Sequence, residues 1–185
     1  TSEASLYAKL INSTKDINEE IIDDEASRLL EQIKTLRVKQ CYPILLSAIS
    51  IEIPKGEFKA LLKAIIRVSI LRGLTDRNPN ELEDVYAKHA RLLRKKKSET
   101  IGDILKDIAK FSINESEMKQ YLLDNDVSEQ LARFVLLQYE LKLRSGEMKI
   151  GKVSIEHIMP RTPENIKDWN MSAEKHEHLV GQLGN

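Results

Sequence analysis

Apolar residues recur at steps of three and four from the start of this chain to about residue 145, a period that leaves little room for anything but packed helices. Ile17, Ile21, Ile22, Ala26, Leu29, Leu30, Ile33 and Leu36 describe one long amphipathic helix. Cys41 to Ile51 is a short apolar helix with Pro43 in its first turn, where a missing N–H costs little. Pro54-Lys55-Gly56 breaks the chain, and Glu57 to Leu74 follows with apolar residues on most sides, including Phe58, Leu61, Leu62, Ile65 and Ile66. That is the pattern of a central, buried helix. Asn78-Pro79-Asn80-Glu81 reads as an N-cap, a proline at the first helical position and an acid three residues after the cap. The helix it opens runs to about Lys97. Thr100 and Asn114 are further caps, with Asp103 and Glu117 three residues on. Ser128 caps a last long helix through Leu143, ended by Ser145-Gly146. Its run Phe134-Val135-Leu136-Leu137 implies burial.

The character changes at Lys149. Ile150, Val153 and Ile155 favour a strand, Pro160, Pro163 and Asn165 favour a loop, and Ser172 to Leu179 favours a short helix. The predicted fold is mainly α: a multi-helix bundle of about seven helices, followed by a partial α+β segment. The boundary falls near Lys149, with an α-helical domain over residues 1–149 and a small module over residues 150–185.

Charge narrows the function classes. The 29 basic and 29 acidic side chains cancel, so nothing in the net charge advertises a nucleic-acid binder, and any DNA contact must come from local patches. Cys41 is the only cysteine, which excludes an internal disulfide and points to a reducing, cytoplasmic setting. No apolar run approaches the roughly 18 residues needed to span a bilayer. Thr1-Ser2-Glu3 carries no signal-peptide pattern and reads as a cut from a longer protein.

Three of the four histidines, His157, His176 and His178, lie in the last segment. Phosphodiester hydrolysis needs a base that titrates near neutral pH and a cation to offset charge at phosphorus. Histidine suits the first task, with an unperturbed pKa of about 6.5. A carboxylate suits the second, as a hard-oxygen ligand. Glu156-His157 offers both. Adjacent residues of a strand point to opposite faces, so the two share one site only if the backbone turns there, and Pro160 makes such a turn. Taken alone, Glu-His-x-x-Pro also describes a strand end with a hydrogen-bonded histidine and a proline turn.

A larger ordered set surrounds it: Ile155-Glu156-His157-Ile158-Met159-Pro160, then Trp169, then His178-Leu179 and Leu183-Gly184-Asn185. This order resembles the C-terminal nuclease domain of GmrSD-type restriction endonucleases, a branch of the HNH (ββα-metal) superfamily. Tyr42-Pro43-Ile44-Leu45-Leu46 and the helix bearing Arg67 and Arg72 are similar to the helical region upstream of that domain. The resemblance implies that His157 is the general base, that Glu156 helps hold a divalent metal (Mg or Mn), and that Asn185 orients the loop and the histidine. It also implies a further metal ligand on a helix after that Asn. The sequence stops at Asn185, so the expectation is a truncated HNH-like segment, inactive by itself, from a parent DNA endonuclease that acts against foreign, including modified, DNA. The family carries an N-terminal nucleotide-using domain; none of the seven glycines here forms a phosphate-binding loop, so NTP hydrolysis is not expected of this chain. The rival reading is a non-catalytic helical interaction or scaffold module.

Two other features have bland readings. His176 and His178 are two apart on a helix and point to nearly opposite sides, so they read as surface or packing histidines. Lys88, Arg91, Arg94, Lys95, Lys96 and Lys97 form a cationic run that would bind DNA by releasing phosphate counterions. Glu81, Glu83 and Asp84 open the same helix, so the run also complements the helix dipole, and a solvated helix end is the favoured account. Lys55, Lys59, Lys63 and Arg67 recur every four residues, which is mildly destabilising unless an acidic partner faces them. Asp23-Asp24-Glu25 is the favoured partner. With aromatics at 5% and not interleaved with the bases, stacked single-strand binding is not expected.

Overall fold

A computed structural model describes residues 3–12, 22–95, 100–144, 154–164 and 166–185. The regular elements among them are helices: α1 (Glu3–Asn12), α2 (Asp24–Thr35), α3 (Tyr42–Ser50), α4 (Lys55–Leu74), α5 (Glu83–Arg94), α6 (Ile101–Ala109), α7 (Glu115–Asp124), α8 (Glu129–Leu143) and α9 (Ala173–Val180). Short 3-10 turns occupy Lys39–Cys41, Pro79–Leu82 and Ile166–Trp169. The mainly α class is as expected. The α+β character is not seen: Ile155 lies outside any strand, and Ile150, Val153 and the boundary near Lys149 fall outside the described residues. None of the helices among the described residues is long and apolar enough to cross a membrane. The chain divides into two compact units, Thr1–Ile113 and Asn114–Asn185.

In the first unit α4 is the central element, with Phe58, Leu61, Leu62 and Ile65 fully buried. It packs against α2 on one side and α6 on another, while α3 packs against α5. Helix α2 begins later than the apolar period suggests. Asp23 is extended and its carboxylate accepts from Ala26 N–H at 2.9 Å, which starts the helix at Asp24 and leaves Ile22 before the cap. The expected single helix from Ile17 is thereby corrected at Ile22; Ile17 and Ile21 lie outside the described residues. The same acidic turn receives the basic stripe: Lys59 reaches Asp23 at 3.0 Å and Glu25 at 2.9 Å, and Lys63 reaches Glu25 at 2.7 Å. Helix α4 starts at Lys55, two residues earlier than expected, because the Pro54 carbonyl accepts from Phe58 N–H at 3.0 Å.

Among the described residues of this unit Arg72 is a buried cation, 2% exposed. Its Nη2 donates to the Asn78 carbonyl at 2.6 Å and to Glu81 at 2.7 Å, and its guanidinium lies 5.7 Å from the centre of the Phe111 ring. Glu81 is therefore drawn to Arg72 instead of completing a capping box, and a 3-10 turn precedes α5. Cys41 is buried, and burial pushes its thiol up to about 12, so it acts as a packing group. Thr100 and Asp103 form the capping box read from the sequence.

Asp107 on α6 gathers three partners: Lys110 at 2.5 Å, His89 Nε2 at 3.0 Å and Lys88 at 3.1 Å. Lys110 and Lys88 hold its carboxyl well below the usual carboxylate range. A depressed folded-state pKa contributes stability that is present above the unfolded value, about 3.9, and is lost as pH falls toward the folded value. Asp107→Asn is thus expected to flatten the acid limb of the stability profile below about pH 4, where that linkage operates. Acid unfolding followed by circular dichroism reads this; superimposable acid limbs in the two proteins would contradict it.

In the second unit Asn114 caps α7 by accepting from Glu117 N–H at 2.8 Å, and Ser172 caps α9 by accepting from Lys175 N–H at 3.2 Å. Ser128 precedes α8 as expected, though its side chain makes no cap bond. The burial implied for Phe134 to Leu137 holds for Phe134 but not for Leu136, which is 42% exposed. Four consecutive residues span all sides of a helix, so an apolar run alone does not name the buried face.

Candidate active site

The loop that carries Glu156 and His157 is held by α9 and the turn that follows it. Asn185 makes the principal attachments. Its Oδ1 accepts from Met159 N–H at 2.7 Å, and its Nδ2 donates to the Met159 carbonyl at 3.1 Å and to the Val180 carbonyl at 3.0 Å. Its own carbonyl oxygen accepts from Ile158 N–H at 2.7 Å. One residue up the loop, the Pro160 carbonyl accepts from His176 Nε2 at 2.8 Å. A carbonyl cannot donate, so His176 carries its proton on Nε2 here. Met159 is 6% exposed and plugs the loop into the unit, whereas Ile158 is 76% exposed. Three successive residues after His157, Ile158, Met159 and Pro160, are therefore pinned by side chain and backbone together.

The pinned bend brings both residues of the Glu-His pair to one cleft of about 260 Å³. Glu156, His157, Arg161, Asp126, Gln182 and Asn185 are its polar lining. Glu156 is exposed and accepts from Ser154 Oγ at 3.2 Å. His157 is half-buried, and its Nε2 accepts from Arg161 Nε at 3.1 Å. Asp126 arrives from the α7–α8 connection, which is tied down where Val127 N–H donates to the Gly181 carbonyl at 3.2 Å. Gln182 Nε2 adds a bond to the Leu123 carbonyl at 2.6 Å.

Gly181 allows this approach. A Cβ at that position would overlap the Asp126 carboxylate. Gly181→Ala is expected to cost at most about 1 kcal/mol, because the atoms it meets are the exposed, rotatable end of Asp126, which must turn aside. Thermal unfolding, with amide exchange at Val127, reads the effect. An unchanged midpoint and unchanged Val127 protection would show that the carboxylate can move aside at no cost.

Of the residues singled out in the sequence, Glu156, His157 and Asn185 come together. The basic run is placed in the first unit and is largely engaged there. Lys88 pairs with Asp107 at 3.1 Å, Arg91 Nε donates to Ala87 O of its own helix at 3.2 Å, and Arg94 Nε donates to Ser47 Oγ at 3.0 Å. Lys95 is exposed just past α5, and Lys96 and Lys97 lie outside the described residues. Trp169 is 39% exposed at the end of its 3-10 turn. His176 is buried and His178 exposed, as their spacing requires, with His178 Nε2 3.4 Å from Gln182 Nε2. Arg161, Asp126 and the holding role of His176 escape a reading by motif. Arg161 lies four residues after His157, a spacing that the bend turns into contact; nothing local marks Asp126.

Among the described residues, no three His, Cys, Asp or Glu side chains converge in a metal-binding cluster. The cleft offers two carboxylates, Glu156 and Asp126. That donor set suits Mg²⁺ or Mn²⁺ better than zinc, because Mg²⁺ keeps several waters and takes only one or two protein carboxylates.

A carboxylate and an imidazole thus share one clamped loop, and comparison with known families gives the assignment. A family profile described as GmrSD restriction endonucleases, C-terminal domain, matches residues 88–185, more than half of the chain. The chain belongs to the GmrSD restriction endonuclease family. No curated protein and no solved structure matches it.

Proposed function

We propose that this chain contributes the DNA-cleaving site of a restriction endonuclease of the HNH type, with residues 1–149 as its helical part and residues 150–185 as a ββα-metal-like nuclease segment. The observation that carries this reading is the Asn185 clamp on Ile158 and Met159, which supports the loop directly after His157. In this mechanism His157 accepts a proton from water, the resulting hydroxide oxygen bonds to phosphorus, and the P–O bond to the leaving nucleotide breaks. Glu156, supported by Asp126, would hold Mg²⁺ or Mn²⁺. When bound, that ion supplies positive charge against the developing negative charge on phosphate oxygens. Asn185 and His176 position the base by fixing backbone and do not touch the reacting atoms. The exposed Lys95, with the rest of the run from Lys88 to Lys97, is the candidate contact for the phosphate backbone. The biological role is defence against foreign DNA, in the cytoplasm where such DNA is met.

Supercoiled-plasmid nicking tests the reading, with Mg²⁺, Mn²⁺ or a chelator, on modified and unmodified DNA. The present chain and one continued past Asn185 are assayed side by side, because the resemblance places a further metal ligand after that residue. Nicking that requires the metal supports an HNH nuclease, and nicking that persists in chelator removes it. A second reading, a non-catalytic interaction module, draws on the exposed apolar residues Leu136, Tyr139 and Leu143 along α8, which are 42%, 61% and 63% exposed. Absence of nicking on every plasmid by both chains would favour it.

A further inference from the structure

Lys59, Lys63, Lys88, Lys110 and Lys119 each meet a carboxylate. Arg91 and Arg94, one turn apart near the end of α5, are held differently. Each spends its Nε on a neutral oxygen: Arg91 on the Ala87 carbonyl at 3.2 Å, Arg94 on Ser47 Oγ at 3.0 Å. Ser47 is fully buried and its hydroxyl donates to the Pro43 carbonyl at 2.9 Å, so the anchor of Arg94 is itself fixed. Arg91 makes no ion pair among the described residues, and its charge stays uncompensated. A guanidinium held through Nε still presents its pair of terminal nitrogens. Both side chains line a cleft of about 500 Å³ between α3 and α5, over a floor that includes Pro43, Ala87 and Ala90. Asp84 is the one carboxylate among the described lining residues, two helical turns before Arg91 and so about 10 Å away along the axis. An adjoining cleft shares Pro43 and Ala87 and carries Lys39 and Glu83, so the groove is balanced at its far end and cationic at the Arg91 end.

We propose that the cationic end of this α3–α5 groove is a docking site for the sugar-phosphate backbone of duplex DNA, with Arg91 as the paired phosphate contact and Arg94, steadied by buried Ser47, as the second. The two non-bridging oxygens of a phosphodiester match the parallel N–H groups of a guanidinium edge. Residues three apart on a helix lie about 5–6 Å from each other, so both arginines are satisfied together by anions repeated at close spacing. A polyanion supplies that repeat and a lone anion does not. No aromatic side chain is among the described lining residues, so the groove meets backbone and does not stack bases. Complementing the dipole of α5 accounts for cations at this helix end but not for the two Nε anchors. Lys88 is committed to Asp107 of α6, which leaves Arg91 and Arg94 as the members of the cationic run that share one cleft. This deepens the nuclease reading, on which it rests for the identity of the polyanion, and the binding can be read without any cleavage.

The test is fluorescence anisotropy of a labelled short DNA duplex with the whole chain, in chelator so that nothing is cut, over a series of salt concentrations. The logarithm of the native affinity is expected to fall linearly with the logarithm of salt. Arg91→Gln should reduce the steepness of that line by about 0.9, the value of one phosphate contact, and should weaken binding equally on duplexes of different sequence. Arg94→Gln should do the same. Arg91→Lys should keep the steepness and lose affinity, because the charge stays while the paired contact goes. Arg91 is exposed, so both of its substitutions spare the core. Lys106→Gln removes the same charge from an exposed position on α6 and should leave the line where it was. A native chain that fails to bind duplex at low salt overturns the site. So does a line that Arg91→Gln leaves unchanged, or that Lys106→Gln flattens equally. Inorganic phosphate should displace the duplex no better than chloride at matched ionic strength; stronger displacement would make this a site for a free anion and overturn the assignment to DNA. The two ideas then separate. Nicking that depends on His157, with a salt dependence indifferent to Arg91, removes the docking site and leaves the nuclease. An Arg91-dependent salt response in a protein that never nicks DNA retains the docking site and removes the nuclease.

Discussion

In whichever of the two assayed proteins nicks plasmid with metal, His157→Ala is expected to lower that nicking by about 10²–10⁴-fold, the usual contribution of a positioned general base, while leaving the fold in place. The fold should tolerate the change because the loop is held by other atoms. The bonds at Ile158 N–H, Met159 N–H, the Met159 carbonyl and the Pro160 carbonyl all run to Asn185 or His176, and none uses the His157 ring. The hydrogen bond lost is the one from Arg161, an exposed donor that water can satisfy. The stability change should stay within about 1 kcal/mol, the typical net value of such a bond. Single-turnover nicking together with a thermal melt separates the two quantities. A mutant that nicks at the native rate would show that another group takes the proton; a mutant that melts far below the native protein would show that the ring is structural.

Asn185→Ala is expected to act in the opposite way, through structure. It removes three hydrogen bonds and leaves Met159 N–H, the Met159 carbonyl and the Val180 carbonyl without their partners in a part-buried setting. Unpartnered buried groups cost about 1–3 kcal/mol each, and partial access to water discounts that, so a total near 3 kcal/mol for the loop is reasonable. The Ile158 N–H bond goes to the backbone oxygen of Asn185 and survives in principle. Amide exchange at Met159 should therefore accelerate by about 10²-fold, with a smaller change at Ile158, since 1.4 kcal/mol corresponds to a factor of ten. Asn185→Asp keeps an acceptor for Met159 N–H but sets a carboxylate against two carbonyl oxygens, so it should not rescue. Native protection at Met159 in the alanine variant would mean that the buried Met159 side chain and His176 hold the loop without Asn185.

The corrections to the helical reading share a cause. Apolar spacing marks which residues want burial but is silent on competing local bonds. Asp23 ends the run from Ile22 by capping, and Glu81 leaves its expected cap because buried Arg72 needs a counter-charge. Asn114 and Thr100 behaved as read because the bonds they make stay within three residues. The stripe from Lys55 to Arg67 found Asp23 and Glu25 because a repulsive row of like charges demands an offset, and one acidic turn stood in α2 to supply it.

What the amino-acid order determined alone is whatever acts over one or two helical turns: the helices, most of their ends, a base beside an acid, and an ordered motif whose family places Asn185 near the loop. What needed the tertiary structure is every contact between distant residues. Asn185 meets Met159 across 26 positions, and Gln182 meets Leu123 across 59. Asp126 enters the cleft because Gly181 has no Cβ to keep it out. Arg161 caps His157 because a pinned bend folds it back. Periodicity carries the direction of a side chain relative to its own helix; which distant backbone it reaches is decided only when packing within a unit brings the two together.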